Sequence, residues 1–263
     1  MKYSVNPDWW KEIFDEVYLL TDARTVCDDD LTRREVDFIT EFMDIGKKSP
    51  VLDLCGGQGR HSLEMARRGY RNLTVFDYSG FLIDLGRKKT REEDLDVTFI
   101  RGDARDTGLD EGLFQHIIMM ASSFGYFIDD QENIRILSES FRLLSPGGKL
   151  LLDLPDRDYV LENFKSLSFH RVNDDISVRR QRAIRKSVIY SRETVISDQR
   201  GCIRENTYCT RLYSRDDLRK LIPKVGFETV AFKKDFMNRA DQGDYGCMTN
   251  RMVAIAGKGK VNL

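Results

Sequence analysis

Val51-Leu52-Asp53-Leu54-Cys55-Gly56-Gly57-Gln58-Gly59 is a short apolar run that carries one carboxylate and ends in three glycines. Such a run bounded by glycine reads as a buried strand, and the apolar spacing over 60–68 reads as a helix. Strand, tight turn and helix make one βα unit. A second follows, with a strand over 73–76, Asp77 at its end and a helix over 81–89. The apolar runs 97–100 and 117–121 are of the kind expected of strands buried on both faces. Ile134, Leu137, Phe141 and Leu144 share one helical face, Ser145-Pro146-Gly147-Gly148 is expected to stop that helix, and 149–154 is the fifth strand. Parallel strands need crossovers, so five strands alternating with helices predict a doubly wound parallel sheet.

Outside this block the pattern changes. Residues 9–20 and 31–45 alternate apolar and charged residues at helical spacing, and each predicts an amphipathic helix. From 156 to about 212, β-branched and charged residues fall in short blocks at 176–178, 187–190, 194–196 and 206–208, as expected of a small antiparallel sheet. Ser214 is the expected N-cap of a helix ending near Gly226, and strands over 228–232 and 252–256 close the chain. The expected divisions are an N-terminal helical lid (1–46), a core (47–155), an inserted antiparallel subdomain (156–213) and the C-terminal part of the core (214–263).

With 263 residues, 41% of them hydrophobic, one large α/β domain with an insert is favoured over two independent domains. The 42 basic and 43 acidic residues leave a net charge of −1, so the molecule as a whole has no bias toward polyanions or membranes. Residues 156–215 differ, holding 13 Lys/Arg against 8 Asp/Glu. The acids at positions 8, 12, 15 and 16 interrupt any signal-peptide core, and no stretch approaches a membrane span. Five cysteines without a CxxC pair argue against a disulfide framework or zinc site, so no metal is expected and a reducing cytoplasm fits best.

The glycine turn permits close approach of backbone to a ligand, with helix amides as donors. A dinucleotide normally takes G-x-G-x-x-G, whereas the spacing here is G-G-x-G. Asp53 would oppose a diphosphate but can pair with the ammonium of an amino-acid moiety, which favours S-adenosylmethionine. Asp77, 18 residues after Gly59, can accept from both ribose hydroxyls, or be a helix N-cap before Ser79. Tyr78 can cover the adenine, and Asp103 in Gly102-Asp103-Ala104-Arg105 can accept from its amino group or be an ordinary turn aspartate. All three acids follow strands, on the rim where open α/β sheets bind ligands.

V-L-D-L-C-G-G-Q-G-R-H, V-F-D-Y, R-G-D-A-R-D, S-S-F-G-Y-F and L-L-S-P-G-G-K-L-L-L-D resemble the class I S-adenosylmethionine-dependent methyltransferase superfamily along nearly the whole chain. Arg211-Leu-Tyr-Ser-Arg-Asp-Asp-Leu218 is similar to a small-molecule-type subgroup with an antiparallel insert after the fifth strand. The resemblance implies a Rossmann-like, seven-stranded, mostly parallel sheet with an antiparallel C-terminal strand. It implies that Gly56, Gly57 and Gly59 hold the methionine portion, Asp77 the ribose and Asp103 the adenine, while His61, near the helix start, can reach the cofactor carboxylate. Ala104 and Met120 complete the expected cofactor-binding set. The fourth strand ends in Met119-Met120-Ala121-Ser122, without the Asn/Asp-Pro-Pro-aromatic motif of DNA and protein amide methyltransferases.

Methyl transfer from a sulfonium is an in-line displacement served by positioning and a dry pocket. Aromatic faces favour the methyl sulfonium, which makes Tyr126 the first catalytic candidate among Phe124, Tyr126 and Phe127. Tyr18 is a candidate lid residue, or part of an apolar stripe with Trp9, Trp10 and Phe14. His170 in the insert is the candidate general base, whereas His116 inside a strand reads as structural. The expected partner is a small-molecule acceptor methylated on an amine or hydroxyl. The basic run 179–186 is either a solvated edge or the footprint of an RNA or protein acceptor, which is the alternative. A Rossmann-type binding or dehydrogenase module is the reading from another class.

Overall fold

The computed structural model describes residues 4–242 and 245–260. The helix expected over 9–20 is broken. Trp9–Lys11 is one 3-10 turn, and α1 (Glu16–Thr21) begins only after Asp15, whose carboxylate caps the amides of Val17 and Tyr18 at 3.0 Å each. That local side-chain bond competes with helix continuation. A short α2 (Ala23–Val26) leads to α3 (Asp29–Phe42), capped by Asp28 and buried along Leu31, Val36 and Ile39.

The expected βα units then follow in order: β1 (Val51–Leu54), α4 (Arg60–Arg67), β2 (Leu73–Asp77), α5 (Gly80–Glu92), β3 (Val97–Arg101), β4 (Phe114–Met119), α6 (Asp130–Leu143) and β5 (Leu144–Pro155). Ser145-Pro146-Gly147-Gly148 does not separate α6 from a later strand as expected. It lies inside β5 as an irregularity where the pairing jumps from Phe114↔Leu144 to His116↔Lys149. Gly147, at φ +77°, donates its amide to the carbonyls of Lys258 and Gly259, so these residues remain bonded rather than forming a loop.

After α7 (Arg157–Glu162), the strands β6 (Leu167–Arg171), β7 (Ile176–Arg185), β8 (Val188–Ser197) and β9 (Gly201–Arg211) pair antiparallel in that order. The blocks at 187–190 and 194–196 fall in one strand, β8, and β6 had no predicted counterpart. Its largely exposed edge position gives it no apolar run to reveal it. Ser214 caps α8 (Arg215–Leu221) through a capping box with Asp217, and Gly226 at φ +113° ends the following 3-10 turn. The chain closes with β10 (Thr229–Phe236) and β11 (Arg251–Gly257).

The seven-stranded sheet has the order β10-β11-β5-β4-β1-β2-β3, and β11 alone runs against its neighbours. Apolar side chains cover both faces. Leu52, Ile117, Leu150 and Leu152 pack under α6 and α8, whereas Val51, Val75, Ile118 and Leu151 pack toward α3, α4 and α5. Strand order reverses between β1 and β4, the topological switch point at which ligands enter open α/β sheets. Among the described residues, no helix is long and apolar enough to cross a membrane.

Candidate active site

At the ends of β1, β2, β3 and β4 a cavity of about 1000 Å³ opens. The turn after β1 makes its floor. Cys55 and Gly57 both take left-handed backbone, at φ +58°. A Cβ on Gly56 would lie 2.7 Å from Asp53 Cγ, so only glycine lets the turn pass over that carboxylate. Gly59 has a different job. It does not line the cavity, and a Cβ there would lie 2.8 Å from the Phe99 ring, so it serves helix–strand packing. No side chain caps α4 behind this turn.

Asp53 is fully buried. Its Oδ2 accepts from Ser62 Oγ at 3.1 Å, and its Oδ1 has no partner. Burial pushes its pKa up to about 7, against the pull of Ser62 and Arg60. A buried, orphaned acceptor on a cavity wall is what an amino-acid ammonium would satisfy. Asp77 accepts the amides of Gly57 and Ser79 at 2.8 Å each and so shapes the glycine turn, but it is not the N-cap of α5: Ser79 is, with its Oγ accepting the Leu82 amide. Its burial raises the pKa despite those amides. Tyr78, Asp103, Ala104 and Met120 also line this cavity.

Asp103 is less free than its sequence context suggests. Arg105 Nε lies 3.0 Å from its Oδ1, and this pairing outweighs partial burial to hold its pKa below the ordinary range. Arg105 also pairs with Glu132 and stacks over Trp10 and Phe127, at 5.2 and 4.7 Å from the ring centroids. His61 lines the cavity but is tied to Glu35, with Nε2 2.9 Å from Oε2. Burial and the neighbouring Arg60 push its pKa down to about 4, so the ring is neutral.

A second cavity of about 900 Å³ adjoins the first and shares Phe14, Tyr18, Val26, Ala121 and Tyr126 with it. Its far wall comes from the antiparallel sheet. Arg180 pairs there with Asp22 and Glu193 at 3.0 and 2.7 Å, and Arg204 pairs with Asp15 and Glu193 at 2.7 and 3.0 Å. Trp9 packs on Tyr126 and Tyr208 at centroid distances of 5.0 and 5.5 Å. Burial raises the phenol pKa of both Tyr18 and Tyr126, so both stay protonated at neutral pH and neither is a base.

The structure thus brings Asp53, Gly56, Gly57, His61, Asp77, Tyr78, Asp103, Ala104, Met120 and Tyr126 to one cavity. His170 lies elsewhere. It borders neither cavity, and its Nε2 is 3.2 Å from the Thr21 carbonyl, a tie between β6 and the N-terminal segment. Sequence reasoning missed the network of Glu35, Arg60, Asp153 and Arg251 beneath the site. Its visible signal was Asp153 inside the apolar run of β5 and Arg251 at the start of that of β11.

Residues 51–148 match the methyltransferase-domain family. The chain is 24% identical over 219 residues to the putative methyltransferase YqeM of Bacillus subtilis, covering 81% of this chain and 87% of that protein. It is also 24% identical over 212 residues to the glycine/sarcosine N-methyltransferase of Aphanothece halophytica, covering 79% and 76%. In fold it is similar to an S-adenosylmethionine-dependent methyltransferase from Clostridium acetobutylicum (TM-score 0.72, 15% identity, 92% of this chain and 96% of that one). It is likewise similar to the amino pentose methyltransferase CalS10 from Micromonospora echinaspora, solved with S-adenosylmethionine bound (TM-score 0.67, 16% identity, 92% and 97%). The domain match lies on the glycine turn and the strand ends that build the cavity, so residues 51–148 form a methyltransferase domain, in a chain whose fold is that of S-adenosylmethionine-dependent methyltransferases.

Proposed function

We propose that this enzyme transfers the methyl group to an amine or hydroxyl of a small-molecule acceptor held in the second cavity. The observation that carries this reading is the common wall of Phe14, Tyr18, Ala121 and Tyr126 between the two cavities. Two ligands seated on either side would meet there. Bound adenosylmethionine supplies an electrophilic methyl on a sulfonium. Asp53 would hold the ammonium, Asp77 the ribose hydroxyls and Asp103 the adenine amino group, while Gly56 and Gly57 permit close backbone approach.

The chain's own groups then do three things. The rings of Phe14, Tyr18 and Tyr126 favour positive charge at the junction and exclude water. The neutral phenols offer hydrogen bonds that orient an acceptor nitrogen or oxygen; its lone pair takes the methyl as adenosylhomocysteine leaves, and its proton passes to solvent rather than to a phenol. The N-terminal segment acts as a lid and 156–213 supply the acceptor side, with Asp22 and Glu193 as fixed carboxylates on that wall. The names of relatives that methylate glycine, sarcosine or an amino pentose agree in kind with a small polar acceptor. Arg180, the second residue of the basic run, is buried and directed at two carboxylates, which disfavours a nucleic-acid footprint.

The test is transfer of isotopically labelled methyl from adenosylmethionine to a panel of small amines, amino acids and amino sugars, with total RNA in parallel. Label in a small molecule and none in RNA is expected. Salt-sensitive incorporation into RNA would overturn the reading.

A further inference from the structure

Asp153 and Arg251 are at most 1% exposed, and neither borders either of the two cavities. Arg251 pairs with both Asp153 and Glu35. Glu35 also takes Arg60 at 2.5 Å and His61 at 2.9 Å. Two carboxylates and two guanidiniums balance, which makes their joint burial tolerable. Arg60 and His61 line the first cavity themselves, and a further bond ties the network to the turn after β4: Asp153 Oδ2 accepts the amide of Ala121 at 2.8 Å.

That amide belongs to an unusual turn. The parallel ladder between β4 and β5 ends at Met119↔Leu152, and Asp153 therefore takes up by side chain the amide just past the place where backbone pairing stops. Ala121 and Ser122 then adopt consecutive left-handed conformations, φ +56° and +60°, with no glycine. Left-handed backbone at L-residues persists only where surrounding bonds over-determine it. Ala121 lines both cavities, and Ser122, bonded to Met248 Sδ at 3.2 Å, lines the second.

We propose that Asp153 is a positioning residue: fixed by Arg251, its carboxylate holds the left-handed Ala121–Ser122 turn and so sets the wall where the donor's amino-acid arm meets the acceptor cavity. The inference rests on the first cavity being the adenosylmethionine site. A charge-assisted bond suits this task because it is shorter and stronger than one to a neutral acceptor. Arg251, bridging Asp153 and Glu35, restrains the Asp153 carboxylate from the side away from the turn.

The experiment measures calorimetric affinities for two probes, S-adenosylhomocysteine and adenosine, which lacks the amino-acid arm. Asp153→Asn is expected to weaken adenosylhomocysteine about tenfold, the scale of one charge-assisted hydrogen bond, and to leave adenosine nearly unchanged. Adding Ala121→Gly, which takes left-handed backbone freely, is expected to restore most of the loss. Equal weakening of both probes, no weakening of adenosylhomocysteine, or no rescue overturns the proposal. If Asp153→Asn does not fold, Ser122→Val leaves the ion network intact and opposes the same turn, and the same split between probes is expected. Failure of the wild type to bind either probe would instead refute the cofactor site, and the proposal with it.

Discussion

Asp53 is the residue whose chemistry is most exposed to test. Burial places its pKa at about 7, so it is largely protonated around pH 6. Pairing with an ammonium favours the ionised form, so binding must expel that proton. Adenosylhomocysteine binding around pH 6 is therefore expected to release close to one proton, read from the dependence of calorimetric heat on buffer ionisation enthalpy, and affinity should rise with pH until it levels above the free pKa. The sign for stability follows. An acid whose folded pKa is raised above its unfolded value favours the folded state below that range, and this contribution is lost as pH rises from about 4 to about 7. Asp53→Asn should abolish the proton release. The neighbouring glycines separate site from scaffold. Gly56→Ala pushes against Asp53 and should weaken adenosylhomocysteine binding. Gly59→Ala meets Phe99 at φ +73° and should cost about 1–3 kcal/mol of unfolding stability, with little change in affinity because the residue does not line the cavity. At this scale the sequence was most legible where charge interrupts an apolar pattern. Asp53 inside β1, Asp77 at the end of β2 and Asp103 just past β3 could be picked out. The left-handed Ala121 and Ser122 could not, because neither residue type marks its own φ.

Among the elements, the N-terminal segment does more than its broken helix suggests. Trp10 packs edge-on to Tyr78 at 4.6 Å, lies under Arg105, and lines the first cavity. Ser79 Oγ donates to the Phe14 carbonyl at 2.6 Å, tying the segment to α5 beside Asp77. Trp10→Ala is expected to lose about 1–2 kcal/mol of adenosylhomocysteine binding, chiefly as faster dissociation in stopped-flow fluorescence, since ring packing and the cation–π contact go together. An unchanged dissociation rate would show that the segment is not a lid. The antiparallel sheet makes the opposite kind of prediction. Glu193→Gln leaves Arg180 and Arg204 short of a buried counter-charge and should cost about 3 kcal/mol, seen as a lowered melting temperature before any ligand is added. Helix α8 was legible to its cap, because Ser214 and Asp217 sit at capping-box spacing. The segment 9–20 was not, because apolar periodicity is blind to Asp15 capping a later helix from within the run.

Over the whole molecule, the alternation of apolar runs with helical patterns was enough to foresee a parallel sheet, since the crossovers leave few other arrangements. The reversed direction of β11 followed from the resemblance, not from any feature of 251–257. The second cavity was not legible at all. Its walls come from the N-terminal segment, the end of β4, strands β7 to β9 and residues 245–248, and only long-range packing brings these together. Charge is organised at the same scale. The local basic excess is partly answered by Asp15 and Asp22 from the N-terminal segment, so docking of that segment neutralises the insert's inner face. The most direct measurement is a crystal structure with S-adenosylhomocysteine bound. The ribose hydroxyls should lie on Asp77, the ammonium on Asp53 Oδ1, and the sulfur at the shared wall of Tyr18, Ala121 and Tyr126, open to the second cavity. A homocysteine arm that leaves Asp53 unpaired, or a sulfur turned away from that wall, would contradict the assignment of donor and acceptor cavities.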